Sequence, residues 1–321
     1  MSIFSRIARL AAAVTLAAAG VTAPAKAEEW RFSTPTPAAH IYTRTAERIA
    51  QAIGAEGKDR VTVAPANQLG DVPTVLSLLQ GGALQLAVVP VGDLTNRDPA
   101  FFGWFLPRKF DSLEGAAKAA HSKEALEMLD RLGKQGLVGL AYVLNGQRHV
   151  LSRKPIASVE DFRNLKVRAF QSDIFRAWWS ALGAAPTALP LPEIMPSLIT
   201  GVIDAVDVDL EIVNALRMYE QAPHVTLTRH MVFPGVILAS RTWWERLDPA
   251  RQEKVRAVIT EAQRWALDDV VADEAALVER LAKAGAKVAQ FDGAQLATQV
   301  ETVRKQFIDR DPLIRAFDQA N

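Results

Sequence analysis

Trp30-Arg31-Phe32-Ser33 alternates like a strand, Ile41 to Ile53 sets Ile41, Ala46, Ile49, Ala50 and Ile53 on one helical stripe, and Val61-Thr62-Val63 is a short strand again. Strand, helix and strand in that order form a βαβ unit, and the rest of the chain repeats the idea. Val72 to Leu79 reads as a second helix, stopped by Gly81-Gly82 before the apolar run Leu84 to Val89, which suits a strand buried on both faces of a parallel sheet. A helix over Leu113 to Leu132 follows, then a strand from Leu137 to Leu144 ending at the turn signal Asn145-Gly146.

A second α/β set starts there. His149 to Ser152 and Lys166 to Ala169 are strands, and Ser158 opens a short helix between them. Ile174 to Leu182 and Pro192 to Ile199 are helices, and Val202 to Leu210 is a further strand. Two similar α/β domains account for this better than one continuous sheet. Val236 to Ala239 supplies a strand that can return to the first domain. From Pro249 to Ala284 there is neither Gly nor another Pro, so a helix of about 50 Å is expected, long enough to lie across both domains.

Composition narrows the function. The 321 residues are 49% hydrophobic and 23% charged, which supports a sizeable core and excludes disorder. Lys and Arg number 37 against 36 Asp and Glu, with no basic stripe to follow a phosphate backbone, so no nucleic acid partner is expected. Cysteine is absent, which removes disulfides, thiolate metal sites and cysteine nucleophiles. Gly-rich phosphate loops, HExxH and the Gly-x-Ser-x-Gly elbow are missing, and His40, His121, His149, His224 and His230 are scattered. The expectation is a chain with no catalytic residues, no cofactor and no metal ligands. At the N-terminus, Arg6 and Arg9 precede the apolar stretch Leu10 to Val21, and Ala25-Lys26-Ala27 offers a signal-peptidase site. Residues 1–27 are read as a signal peptide cleaved after Ala27, the run being shorter than the roughly 20 apolar residues of an anchor.

Two features single out binding residues. Arg168 ends an apolar strand and precedes Ala169-Phe170, where a guanidinium is costly unless an anion pairs with it, either a structural carboxylate or a ligand's. Its planar fork matches a carboxylate in a cleft. Asp204, Asp207 and Asp209 cluster without EF-hand spacing; in a continuous strand Asp207 and Asp209 share a face, as a solvated strand end or as a ligand or cation contact. Trp178-Trp179 and Trp243-Trp244 read as core.

A central block runs through Asn145-Gly146-Gln147-Arg148, Lys154-Pro155-Ile156, Asp161 to Arg168, Leu182 to Pro186, Glu193, Leu198 and Gly201-Val202-Ile203-Asp204. In its order and spacing it resembles the DctP-like substrate-binding proteins of tripartite ATP-independent periplasmic (TRAP) transporters. Weaker matches are Gln68-Leu69-Gly70, Gly81 to Leu86, Phe105-Leu106-Pro107 and Trp244 to Gln252. The resemblance implies an α/β two-domain periplasmic-binding-protein fold with long domain-spanning helices, and a periplasmic solute receptor, not an enzyme. Its partners would be a small organic acid and the membrane subunits of a TRAP permease, the chain itself being a monomer or a homodimer. It divides the mature chain into 28–145 plus 234–272 and 146–233 plus 273–321.

The resemblance also places the family's carboxylate-binding arginine on Arg168, a second arginine contact on Arg148 and a polar contact on Gln171. Asp207 and Val208 stand where members often carry Glu and then Asn or Trp, and Ala205 replaces the usual Gly. Pro90 replaces the Glu of the sialic-acid branch, and Leu191 its aromatic contact, which argues against sialic acid. Phe233 falls at a usually polar place, so a monocarboxylate with an apolar or aromatic tail is expected over a dicarboxylate or sugar acid. A secreted enzyme on the same fold and a sensor partner that presents its ligand to a membrane kinase are the alternatives.

Overall fold

Trp30 faces Val61 and Phe32 faces Val63 across two parallel strands, and the helix Ile41–Gly54 makes the crossover between them. This is the βαβ unit of the sequence. The computed structural model describes residues 28–55 and 59–320, so the expected signal peptide over 1–27 lies outside the described residues.

Two sheets organise the chain. The first has the order β2 (Asp59–Ala64), β1 (Glu28–Ser33), β3 (Leu86–Pro90), β10 (Val232–Ser240), β4 (Leu137–Gln147). Every residue of β3 is buried, as its uninterrupted apolar run requires. The second sheet has the order β11 (Lys287–Gln290), β9 (His224–Leu227), β5 (His149–Ser152), β8 (Ala205–Val208), β6 (Lys166–Ala169), β7 (Ala185–Ala188). The first sheet is mixed instead of purely parallel. β10 enters it directly from the second sheet without a crossover helix, and a direct return of this kind lies antiparallel to its neighbours β3 and β4.

Asn145-Gly146 does not end β4, which runs on to Gln147, with Gly146 at φ 102°. The chain then crosses to β5 through Arg148, whose N–H donates to the Met231 carbonyl at 2.7 Å on the returning segment. Two hydrogen-bonded passages, one in each direction, thus join the sheets. The expected helix over 113–132 is divided into Leu113–Ala119 and Lys123–Arg131, because Ser122 accepts from Ala125 N at 3.2 Å and starts a new helix.

The helix Pro249–Lys283 has 35 residues, close to the expected span. Its Val255, Ile259, Ala262, Ala266 and Val270 pack into the core of the first sheet, whereas Leu277 and Leu281 belong to the core beneath the second. One rigid element therefore braces both sheets. The last helix, Pro312–Ala320, packs on first-sheet elements, with Phe317 4.9 Å from Trp104 between ring centroids, whereas the division expected from sequence places 273–321 with the second sheet. Trp178, Trp179, Trp243 and Trp244 are all core, as expected.

Candidate functional site

Between the sheets lies a cavity of about 500 Å³. β3 and β6 point their carboxyl ends toward it, the usual place for a ligand in open α/β sheets. Arg168, on β6, is 4% exposed and lines the cavity. Its Nε donates to the Leu189 carbonyl at 2.9 Å and its Nη1 to the Asp207 carbonyl at 3.4 Å. Among the described residues no carboxylate reaches it within 4.0 Å. Burial, with the like charge of Arg148 adding to it, pushes its pKa down to about 10. The Phe170 ring sits 5.5 Å from the guanidinium. Arg168 is thus a desolvated cation supported by carbonyl dipoles and an aromatic face, still lacking a counter-charge.

Arg148 borders the same cavity but is occupied. Its Nε donates to Asp207 Oδ1 at 2.6 Å, its Nη2 donates to the Asp207 carbonyl, and its Nη1 lies 3.5 Å from Asp209 Oδ2. The Phe233 ring covers it at 4.4 Å. Asp207 also accepts from Trp179 Nε1 at 3.1 Å and has His230 Nε2 at 3.5 Å. Burial acts to raise the Asp207 pKa, but Arg148 and His230 outweigh it and hold the carboxyl well below the usual carboxylate range. Asp207 therefore faces the interior of the second sheet's lobe and does not line the cavity, unlike the ligand or cation contact considered from sequence. The strand stops at Val208, so the alternation that paired Asp207 with Asp209 is broken. Asp209 instead caps the helix Leu210–Ala215, accepting from Ile212 N at 2.9 Å, and forms part of the cavity wall.

Of the other sequence-derived residues, Gln171, Leu191, Val208 and Phe233 all line the cavity. Sequence reasoning passed over His40, Tyr42, Asn67, Asp93 and Asn145, which line it too. A signal existed for Asp93, an acid placed three residues beyond the end of a buried strand. His40 offered none, being one of five scattered histidines.

Contacts close both rims of the cleft. On one side the Glu211 carboxylate accepts from Ile41 N at 2.9 Å and from Arg44 Nη2 at 2.8 Å, and Arg44 also reaches Asp269 at 2.7 Å on the long helix. His40 Nδ1 accepts from Tyr42 N at 3.1 Å, and its Nε2 lies 3.7 Å from both Asp209 and Glu211. On the other side Thr95 and Ser172 hydroxyls meet at 2.8 Å. Gly92 permits that approach, since a Cβ there would fall 2.5 Å from Phe170 Cε1. Among the described residues no group of three or more His, Cys, Asp or Glu is arranged to hold a metal ion, and no helix is long and apolar enough to cross a membrane.

The profile of the family described as bacterial extracellular solute-binding protein, family 7, matches residues 32–309. A TRAP periplasmic solute-binding protein of Xanthobacter autotrophicus Py2, solved with bound β-D-galacturonate, is 27% identical and superposes with a TM-score of 0.85 over 91% of this chain and 98% of its own. A second, from Pseudomonas putida F1 with bound D-glucuronate, is 25% identical with a TM-score of 0.85 over 90% and 96% of the two chains. The 2,3-diketo-L-gulonate-binding periplasmic protein YiaO of Escherichia coli is 25% identical over 84% of each chain. These relatives are binding proteins, not enzymes.

Proposed function

The chain belongs to bacterial extracellular solute-binding protein family 7, the DctP family of TRAP solute receptors, and on that premise we propose that it captures a small organic acid from the periplasm and passes it to a TRAP permease. The observation that carries this reading is Arg168, a buried guanidinium without an ion-pair partner among the described residues, at a cavity of about 500 Å³. A ligand carboxylate supplies the missing charge through two parallel hydrogen bonds. Contacts from both sheets then favour the closed form over the open one, which is all that capture requires.

The cavity wall favours a hydroxylated acid over one with an apolar tail. Asn67, Asp93, Asn145 and Gln171 present polar groups there, and an apolar tail would leave the buried Asn145 Oδ1, which has no hydrogen-bond partner among the described residues, unpaired at a cost of about 1–3 kcal/mol. Phe233, on which the apolar expectation leaned, lies under Arg148 and against Phe170, with ring centroids 5.0 Å apart, so shielding that ion pair accounts for it. Acids of the size of a uronate, such as those held by the two solved relatives, fit this wall.

A thermal-shift screen of the mature protein tests the reading, because a ligand that binds only the folded state raises its apparent stability. D-galacturonate, D-glucuronate and L-gulonate should shift the midpoint more than C4-dicarboxylates or aromatic monocarboxylates, and Arg168→Ala should abolish the shift. No response to any acid would overturn acid capture, and a larger response to the aromatic acids would restore the apolar tail.

A further inference from the structure

Asp93 stands in the short helix Val91–Leu94 just after β3, on the wall of the same cavity as Arg168. It makes no hydrogen bond or ion pair within 4.0 Å among the described residues. Packed against its helix are β3, β10, the 3-10 helix Pro99–Phe105 and Phe170 after β6, and none of these carries a titratable side chain. The charges and titratable groups that do act on it or share its wall are Arg168, Asp71, Tyr42, His40, Arg148, Asp209 and the exposed Glu193. Only Arg168 is a cation left unpaired among them. Asp71 is a second carboxylate, engaged as the cap of the helix Val72–Gln80 through Thr74 N at 3.0 Å.

This geometry poses a problem for an incoming anion. In the free protein Asp93 and Arg168 attract each other across the cavity. A ligand carboxylate seated on Arg168 takes that attraction and sets a like charge in the cavity whose wall holds the half-buried Asp93. Repulsion between two carboxylates sharing one cavity favours protonation of one of them. A protonated Asp93 would relieve the conflict and offer a hydrogen-bond donor on the cavity wall.

Resting on the acid-binding reading above, we propose that Asp93 contacts the ligand as a neutral carboxylic acid, donating to one of its oxygens, so that this receptor takes up its organic acid together with one proton. Burial already raises the Asp93 pKa to about 7 in the free protein, while Arg168 works to lower it. The sign follows: below that value the proton is in place before the ligand arrives, and above it the proton must be drawn from solution. Affinity for an anionic acid therefore falls as pH rises through 7. A ligand amine in the same place would reverse the slope, since it would favour the ionised form.

Calorimetric titration with D-galacturonate at pH 6 and pH 8, each in two buffers of different ionisation enthalpy, provides the test. The wild-type protein should bind about tenfold more weakly at pH 8 and take up close to one proton per ligand there, with almost none at pH 6. Asp93→Asn has nearly the same size and retains a donor; it should bind with no pH slope and no proton uptake, and at pH 8 at least as tightly as wild type. Affinity flat in pH overturns the proposal, as does a slope that survives in Asp93→Asn or one that rises with pH. Each of these leaves acid capture standing, whereas a folded wild-type protein that binds no galacturonate at either pH overturns both readings for this acid. Circular dichroism of the variant confirms that the comparison is between folded proteins.

Discussion

Arg148 and Arg168 border one cavity from one lobe, yet Arg148 gives its guanidinium to the Asp207 carboxylate at 2.6 Å whereas Arg168 donates to carbonyl oxygens alone. Around Arg148 the charge is closed within the lobe: Asp207 and Asp209 balance it, Trp179 and His230 attend to Asp207, and Phe233 covers the guanidinium. Around Arg168 the charge is left open. The same residue type, buried to a similar degree, is paired with a carboxylate of the protein in one place and has none within reach among the described residues in the other. Burial of a charge says only that a counter-charge is needed, and the neighbours determine whether the protein or a ligand brings it.

The comparison breaks most visibly through Asp207. Replacing Asp207 by Ala leaves Arg148 buried without its partner and should cost about 3–5 kcal/mol of unfolding free energy, measured by denaturant titration followed by circular dichroism. Arg148→Met combined with Asp207→Leu should be less damaging than the sum of the two single changes, since removing both charges leaves neither stranded. Additivity instead would mean that the pair is not coupled. The pH dependence has a definite sign. Because the folded-state pKa of Asp207 lies below its unfolded value, its contribution is complete above about pH 4 and is lost as pH falls through the folded value. Asp207→Asn should flatten that acid limb.

Next in size is Arg168. Arg168→Ala should weaken acid binding by at least about 2 kcal/mol, roughly thirtyfold, while leaving unfolding free energy unchanged or slightly higher, because an unpaired buried charge is removed. Lys should restore little of the affinity, since a point charge cannot form the two-pronged contact. Near wild-type affinity in a folded Arg168→Ala protein would move the clamp to Arg148 and erase the distinction between the two arginines.

The smallest expected effect concerns the rim that keeps both arginines enclosed. Glu211→Gln retains an acceptor for Ile41 N but loses the charge facing Arg44 and His40. A few-fold loss of affinity is expected, in keeping with about 1 kcal/mol for a partly exposed pair. Small-angle scattering should show a larger radius of gyration for the ligand-free variant than for ligand-free wild type. Equal radii would mean that the rim contacts follow closure without favouring it.

Much of the scaffold is legible in the sequence because it is local. The alternation of Trp30 to Ser33, the stripe from Ile41 to Ile53, the apolar run of β3 and the Gly-free stretch after Pro249 each report which faces are buried, and periodicity carries that information without knowledge of neighbours. Arg168 was legible for a related reason: a cation at the end of an apolar strand conflicts with its own surroundings. Asp207 and Asp93 were not legible in this way. Asp93 follows the buried strand β3 by three residues and Asp207 sits in a cluster with Asp204 and Asp209, but neither local pattern tells which distant group the carboxyl will meet.

By itself the sequence determined two α/β layers joined by a long helix, an arginine in need of an anion, and a family whose members bind solutes. Only the tertiary structure decided that β10 returns antiparallel, that the last helix packs on the first sheet, that Asp207 turns inward to Arg148, and that Asp93 shares a cavity wall with Arg168. The physical reason is range. Hydrophobic periodicity is written along the chain, whereas the energy of a buried charge depends on groups far away in sequence. Those groups become neighbours only when the two sheets meet.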